Sequence, residues 1–243
     1  MSNEHVWPEW LGKLLPPGAA GASHSYAFED AKRGEYRRLE GMRPHDITVR
    51  DVCEPCNTGW MHRSEDSAGL IVPRMVARET RLSEFDQAKL AYWGVLKGLV
   101  AVRVGTDGPI LGIPPPEDYR RIYESRDSQM CTDGFLVYAA TASWSDNRAP
   151  AGFFRLVGIG RESRKEGDKF DGYALTFTAL DLVVMVIRLF GAKPTRFVPF
   201  DDQKFETIIR RIWPVQPGGV DWPPRVRLTK QGLISLSGGA MKP

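Results

Sequence analysis

Two short segments near the start of the chain carry residue types that could cleave a phosphodiester bond. The first is the pair Glu4-His5, in which an acid directly precedes a histidine. The second is Cys53-x-x-Cys56-Asn57, in which two thiols at the spacing of a zinc knuckle precede an amide. A neutral imidazole has a suitable pKa to activate water, and a divalent cation could neutralise charge on the phosphate. The two segments therefore predict a metal-dependent hydrolytic site.

The positions of these residues predict what each one does. On an extended strand the side chains of Glu4 and His5 diverge, so one could bind a cation while the other activates water. Asn57 follows Cys56 directly, so a zinc knuckle would fix the turn that carries the amide. Carboxylate and amide oxygens are hard ligands, which favours Mg²⁺ or Mn²⁺ at the catalytic site.

Together, EHVWPEWL (residues 4–11) and CEPCNTGWM (residues 53–61) resemble the HNH endonuclease superfamily. Its ββα-metal finger has an acid-His pair on the first strand and an asparagine after the second CxxC. The CxxCN arrangement is also similar to that of the phage junction-resolving nucleases. The resemblance covers residues 4 to about 67. It implies a metal-dependent endonuclease, with DNA as the expected partner, from a phage or bacterial mobile or defence context.

The resemblance also implies a role for each residue of the two segments. It implies that His5 is the general base and that Glu4 is the acidic metal ligand. Asn57 would complete the catalytic metal site, and Cys53 and Cys56 would form half of a structural zinc site. In the strand predicted at residues 46–52, Thr48 stands where the HNH pattern often has an asparagine.

The sequence departs from the HNH pattern because no CxxC precedes the acid-His pair, so the Zn²⁺ site is incomplete. Three explanations stay open. Either the start codon was placed too late, or the finger holds together without zinc, or His24 or His45 completes the site. The remaining cysteine, Cys131, lies far downstream in what the sequence indicates is another domain.

Each of these residues also has a simpler interpretation. Glu4 and His5 could belong to a frayed terminus, and the two CxxC thiols could be ordinary buried cysteines. On the helix predicted after Asn57, His62 is expected to be a solvated surface residue, whereas Glu65 is a candidate metal ligand or a support for one. The large side chains of the segment are expected to form its packing: Trp7, Trp10, Trp60 and Met61.

Composition and charge place the rest of the chain among ordinary globular proteins. The 243 residues are 42% hydrophobic, which suffices for one large or two small domains. Three cysteines and a polar N-terminus without a signal peptide favour a reducing, cytoplasmic location. The most apolar run, residues 180–190, is too short to span a membrane and is expected in the core. No membrane partner is expected, and no P-loop or dinucleotide fingerprint is present.

Basic residues cluster between the two halves of the motif. A net charge of +3 is too small to indicate a nucleic-acid protein, so the distribution matters more. The candidate phosphate contacts are Lys32, Arg33, Arg37, Arg38 and Arg43. A solvated helix face shared with Glu35 and Glu40 is the alternative. A second basic run, residues 224–230, gives a weaker signal.

The periodicity of the remaining chain predicts an α+β fold in three parts. These are an HNH-like finger at residues 1–67, a helical segment packed on it at residues 68–104, and an antiparallel α+β domain at residues 105–243. Helices are predicted at residues 64–79, 82–104 with Ser83 as N-cap, about 116–125 and 200–213, and strands at 135–144, 152–160 and 172–180. The C-terminal domain is expected to select substrate, a protein partner or a second copy. The alternative function is a non-catalytic DNA-binding or scaffold protein with a degenerate finger.

Overall fold

The computed structural model describes residues 2–14, 28–30, 35–37, 46–77, 80–104, 114–143, 154–159, 171–191 and 203–238. The strands within these ranges are β1 (Ser2–His5), β2 (Phe28–Asp30), β3 (Glu35–Arg37), β4 (Thr48–Val52), β5 (Thr80–Leu82), β6 (Phe135–Thr141), β7 (Phe154–Ile159), β8 (Gly172–Ala179), β9 (Leu182–Leu189), β10 (Ile209–Trp213) and β11 (Val220–Trp222). The helices are α1 (Glu9–Lys13), α2 (Glu54–Cys56), α3 (His62–Ala77), α4 (Glu84–Ala101), α5 (Pro116–Glu124), α6 (Gln203–Glu206) and α7 (Lys230–Gly238). Helices and antiparallel sheets together confirm the predicted α+β class.

The start of the chain pairs with a strand more than forty residues later. Strands β1 and β4 are antiparallel, with Glu4 opposite Val49 and His5 opposite Thr48. At the start of β4 the buried side chains of Ile47 and Val49 alternate with Thr48 and Arg50, which are not buried, so one face of this part covers the core. The strand predicted at residues 46–52 is therefore confirmed.

A helical segment follows this strand pair directly. Helix α2 begins after Cys53, which is extended, and a π-type turn at Asn57–Met61 with a kink at Gly59 leads into α3. Helix α3 turns a face of small and branched apolar residues toward the interior: Ala68, Ile71, Val72 and Met75. Two strands and a helix are thus joined in the order strand, strand, helix.

Helix α4 is the central element of the molecule. It begins at the predicted N-cap, because the Ser83 hydroxyl accepts the N–H of Asp86 and the Asp86 carboxylate accepts the N–H of Ser83. Most of its later residues are buried, including Leu90 and Trp93. Phe85 differs from them. Its side chain is 68% exposed because it lies in the first turn, before the helix enters the core.

Five strands form the main sheet, in the order β10-β6-β9-β8-β7, with all neighbours antiparallel. The antiparallel sheet predicted from three strands is confirmed, and β9 is its central strand. Every residue of β9 is buried, which agrees with the expectation that residues 180–190 lie in the core. Helix α4 lies against this sheet, and its Gly94 and Gly98 allow the close approach. A Cβ on Gly94 would come within 2.9 Å of Val184 Cγ1.

The helix predicted at residues 200–213 is wrong over most of its length. Within the described residues 203–213 only α6 is helical, and Ile209–Trp213 forms β10 at the edge of the sheet. Strand β10 pairs with β6, and its side chains Ile209 and Ile212 are buried. Pairing with an available sheet edge and burial of β-branched side chains outweighed the helical preference of the flanking charged residues.

The N-terminal strand pair, helices α3, α4 and α5 and one face of the sheet share a hydrophobic core, whereas α7 packs in a second cluster with the other face of the sheet. The Trp7 indole donates to the backbone oxygen of Thr178 in β8 at 2.9 Å, and Trp222 donates to Met75 in α3 at the same distance. These two bonds connect the first strand pair and α3 to distant parts of the chain. Among the helices that the structure describes, none is long and apolar enough to cross a membrane.

Candidate functional site

A buried lysine brings two of the predicted metal ligands together. Lys97 Nζ lies 2.6 Å from Glu4 Oε1 and also forms an ion pair with Glu65 Oε1. Glu4 comes from β1, Glu65 from α3 and Lys97 from α4, so three separate elements meet at this point. The side chains of Lys97 and Glu4 are 2% and 3% exposed, and that of Glu65 is 16% exposed. The three form the site that we call the acid–lysine cluster.

The ammonium of Lys97 has acceptors for all three of its protons. Besides the two carboxylates, it donates to the backbone oxygen of His5 at 2.7 Å. Lys97 lies in the buried part of α4, where its side chain meets an acid from β1 and an acid from α3. The contact fixes the end of β1, where the acid-His pair lies.

Burial and charge act in opposite directions on Glu4. Desolvation raises the pKa of Glu4 above its ordinary value, and nearby Glu65 adds to the rise. Lys97 and His5 oppose it, because a positive charge favours the carboxylate. Since two carboxylates face one ammonium, the cluster has an excess of negative charge in its ionised form. The raised pKa of Glu4 favours a proton on that carboxyl, which would remove the excess.

His5 lies beside the cluster but on the other face of β1. Its side chain is half-buried, and its strand position is opposite Thr48 of β4. It is near enough to Glu4 to lower the pKa of that carboxyl. The strand geometry therefore keeps the imidazole apart from the carboxylate, as predicted for residues with different roles.

Asn57 contacts β1 through its side-chain amide. Its Nδ2 donates to Ser2 Oγ and to the backbone oxygen of Asn3, both at 3.1 Å. Its backbone N–H donates to the oxygen of Cys53 at 3.0 Å. Asn57 thus fastens the start of the helical segment to the first strand, whereas the carboxylates of Glu4 and Glu65 meet at Lys97.

The two CxxC thiols lie against each other. Cys53 is exposed and Cys56 is half-buried, and the backbone N–H of Cys56 donates to Cys53 Sγ at 3.3 Å. Hydrogen bonds from the Cys56 thiol and backbone lower the pKa of Cys53. The same thiol contact, followed by burial, raises the pKa of Cys56. Cys131 lies in the hydrophobic core, where burial raises its pKa.

In the described part of the chain, side chains that could bind a metal ion are not gathered into groups of three. No group of three or more His, Cys, Asp or Glu side chains there could hold a metal ion. A structural zinc site at Cys53 and Cys56 would need two more ligands. The candidates His24 and His45 lie outside the described residues.

The other residues named from the sequence lie on the surface, at a contact between two parts of the fold, or outside the described residues. His62 is 63% exposed and lies 3.8 Å from Asp66, as expected of a surface residue. Arg227, in the second basic run, donates to the backbone oxygen of Ala142 and to Asp181, so it connects two parts of the fold. The side chains of the first basic cluster fall outside the described residues: Lys32, Arg33, Arg37, Arg38 and Arg43. Of these, only the backbone of Arg37 is described, at the end of β3.

An apolar cavity of about 570 Å³ lies beside the CxxC segment. It is bounded by β4, the turn before α3, α4 and α5, and Cys53 and Cys56 are among its lining residues. Tyr119 of α5 also lines it, near the ion pair of Arg103 with Asp51. A volume of this size is typical of small-ligand sites.

The sequence interpretation missed Lys97. Its one signal is a lysine in the middle of the apolar run AYWGVLKGLVAV (residues 91–102), on a helix with few other polar residues. Lysine is almost never fully buried unless it is paired, so a buried acid partner could have been expected. Nothing in the sequence shows which acid that is.

Comparisons with known protein families, with curated proteins and with solved structures found no match to this chain. The resemblance to HNH nucleases therefore depends on the acid-His pair and the CxxCN segment. The acid–lysine cluster is independent of that resemblance, because the fold and not a sequence motif brings its three residues together.

Proposed function

We propose that this chain is a metal-dependent endonuclease that hydrolyses phosphodiester bonds of nucleic acid, with DNA as the expected substrate. The observation that carries the proposal is the convergence of Glu4 and Glu65 on one point, the Lys97 ammonium, which also contacts the backbone oxygen of His5. A strand and a helix, separated by sixty residues of sequence, supply the two carboxylates. The HNH-like order of acid, histidine and CxxCN supports the same function.

The two carboxylates fit a hard divalent cation. Mg²⁺ and Mn²⁺ prefer carboxylate oxygens, and Glu4 and Glu65 each place one within ion-pair distance of the same atom. Because that atom is Lys97 Nζ, cation binding requires the ammonium to move away from the carboxylates. When bound, the cation would neutralise charge that develops on the phosphate and stabilise the leaving oxygen.

The side chains of the finger would carry out the remaining steps. His5 would accept a proton from the attacking water, because a neutral imidazole is a base near neutral pH. Asn57 would keep the start of β1 in place through its bonds to Ser2 and Asn3. The basic residues between the two halves of the motif would contact the phosphate backbone.

The experiment is a plasmid-nicking assay with purified protein in Mg²⁺, in Mn²⁺ and in excess EDTA. We expect nicking or cleavage with either metal and none with EDTA. His5→Ala should lower the rate by about a hundredfold or more, as expected for loss of a general base. His62→Ala is the matched control, since His62 is an exposed histidine of the same segment. Equal rates for the two variants would contradict the role of His5.

A second candidate function is a non-catalytic DNA-binding or scaffold protein. One observation favours it: Lys97 already satisfies both carboxylates, so the cluster is complete without a metal ion. In that case Glu4 and Glu65 only connect the strand pair and α3 to α4. Titration calorimetry with Mn²⁺ separates the two functions. Binding that Glu65→Gln weakens and Asp66→Asn leaves unchanged supports the nuclease, and no binding supports the scaffold.

A further inference from the structure

The CxxC thiols are held in a geometry that suits a bond between them. Cys53 is extended, with φ of −73° and ψ of 147°, and its sulfur folds back over the first turn of α2. There it accepts the backbone N–H of Cys56 at 3.3 Å. The backbone N–H of Cys56 also donates to the backbone oxygen of Cys53 at 3.1 Å, which closes a four-residue turn. The ends of such a turn have Cα atoms less than about 7 Å apart, which is the separation that a disulfide spans.

The two thiols differ in access. Cys53 is exposed, whereas Cys56 is half-buried and packs against the hydrophobic core beside Trp60. An incoming reagent would therefore meet Cys53 first. Both sulfurs line the apolar cavity, which leaves room beside the pair. Cys131 differs from both because it is only 6% exposed.

We propose that Cys53 and Cys56 are a redox-active dithiol that reacts with small disulfides of the glutathione type. The Cys53 sulfur attacks one sulfur of the substrate, which breaks the substrate S–S bond, forms a mixed disulfide and releases one thiol. The Cys56 sulfur then attacks Cys53, which forms the Cys53–Cys56 disulfide and releases the second thiol. The protein gives up two electrons and two protons, and the substrate becomes two thiols.

This activity does not depend on the proposed nuclease function. It uses the segment that the HNH resemblance assigned to half a zinc site, and the described residues offer those thiols no third metal-binding side chain. Cys residues that cycle between thiol and disulfide are the usual form of disulfide in a reducing compartment. Redox chemistry therefore gives the pair a role without further ligands.

The test is to incubate the reduced, full-length protein with oxidised glutathione and to measure the products by intact mass and peptide mapping after acid quench. We expect the mass to fall by two hydrogen atoms, with the bond located between Cys53 and Cys56. Cys56→Ser should instead hold one glutathione on Cys53, and Cys53→Ser should react at least tenfold more slowly. Cys131→Ser is the control and should behave as the parent chain does.

Three results would overturn the proposal. One is a chain that keeps both CxxC thiols free at equilibrium with oxidised glutathione. Another is a disulfide that includes Cys131. The third is a purified protein with one tightly bound zinc that blocks both thiols until a chelator removes it. Circular dichroism of each variant shows that the compared samples are folded.

Discussion

Lys97 donates a 2.6 Å hydrogen bond to Glu4 across 93 positions of sequence, and both residues are buried. The same ammonium contacts Glu65, so one side chain joins β1, α3 and α4. Breaking a buried ion pair by removing one partner leaves an uncompensated charge, which is strongly destabilising. The pair is therefore expected to matter for stability whichever function the cluster has.

Lys97→Met should lower the free energy of unfolding by about 3–5 kcal/mol, because Glu4 and Glu65 would then share a buried site with no cation. Lys89→Met is the matched control on the same helix. Lys89 is only half-buried and donates one bond to the oxygen of Ser128, so its loss should cost about 1 kcal/mol. Urea unfolding measures both, and similar losses in the two variants would show that Lys97 is not a special position.

Arg188→Met should also destabilise the fold by about 3–5 kcal/mol. The Arg188 guanidinium donates to the fully buried carboxylate of Asp118 at 2.9 Å, and the Tyr173 hydroxyl donates to the same group. Arg120→Met is the control, because Arg120 is 68% exposed and lies 3.9 Å from its helix neighbour Glu124. It should change the unfolding free energy by about 0.5 kcal/mol or less. If Arg188→Met is equally mild, the buried ion pair contributes little to holding α5 in place.

Tyr119 should make the stability fall with pH in the alkaline range. Burial raises its pKa from an ordinary value of 10.0 to about 12, and nearby Arg103 opposes the rise. Between these values the unfolded chain has released the phenol proton while the folded chain keeps it. The unfolding free energy therefore decreases as pH rises through this window. Tyr119→Phe should show a shallower decrease in urea titrations at several pH values, and an unchanged slope would contradict the assigned shift.

The double variant Arg37→Ala, Arg38→Ala should weaken binding to all DNA sequences alike. Each lost phosphate contact should reduce the slope of log affinity against log salt by about one unit. Mn²⁺ affinity should stay the same, since these residues are not metal ligands. The control is Arg120→Ala, Arg121→Ala on α5, which removes the same charge. Equal salt slopes for the two double variants would show that the basic residues between the two halves of the motif form only a solvated surface.

Local patterns in the sequence were enough to predict several elements of the fold. The capping residue Ser83 and the apolar periodicity after it gave α4, and β-branched runs gave three strands of the sheet. Strand β10 could not be predicted in this way. Its residues Ile209–Trp213 became a strand because β6 offered an edge, and that edge is formed by residues about seventy positions earlier.

In the candidate site, too, the sequence indicates some residues and cannot indicate another. Glu4, His5 and Asn57 could be selected from their types and order, and Glu65 from its place on the next helix. The partner Lys97 could not, because a lysine in an apolar helix gives no indication of which acid it meets. Only the packing of α4 against β1 and α3 determines that contact.

The bond from the Trp7 indole to Thr178 spans 171 positions, and it has a consequence for how the protein is made. At the ribosome the acid-His strand emerges well before its partners on α4 and β8 are synthesised. Such distant contacts raise the contact order and slow folding. Strand β1 therefore cannot reach its native environment until the sheet is complete. The catalytic candidates are then among the last groups to reach their native positions.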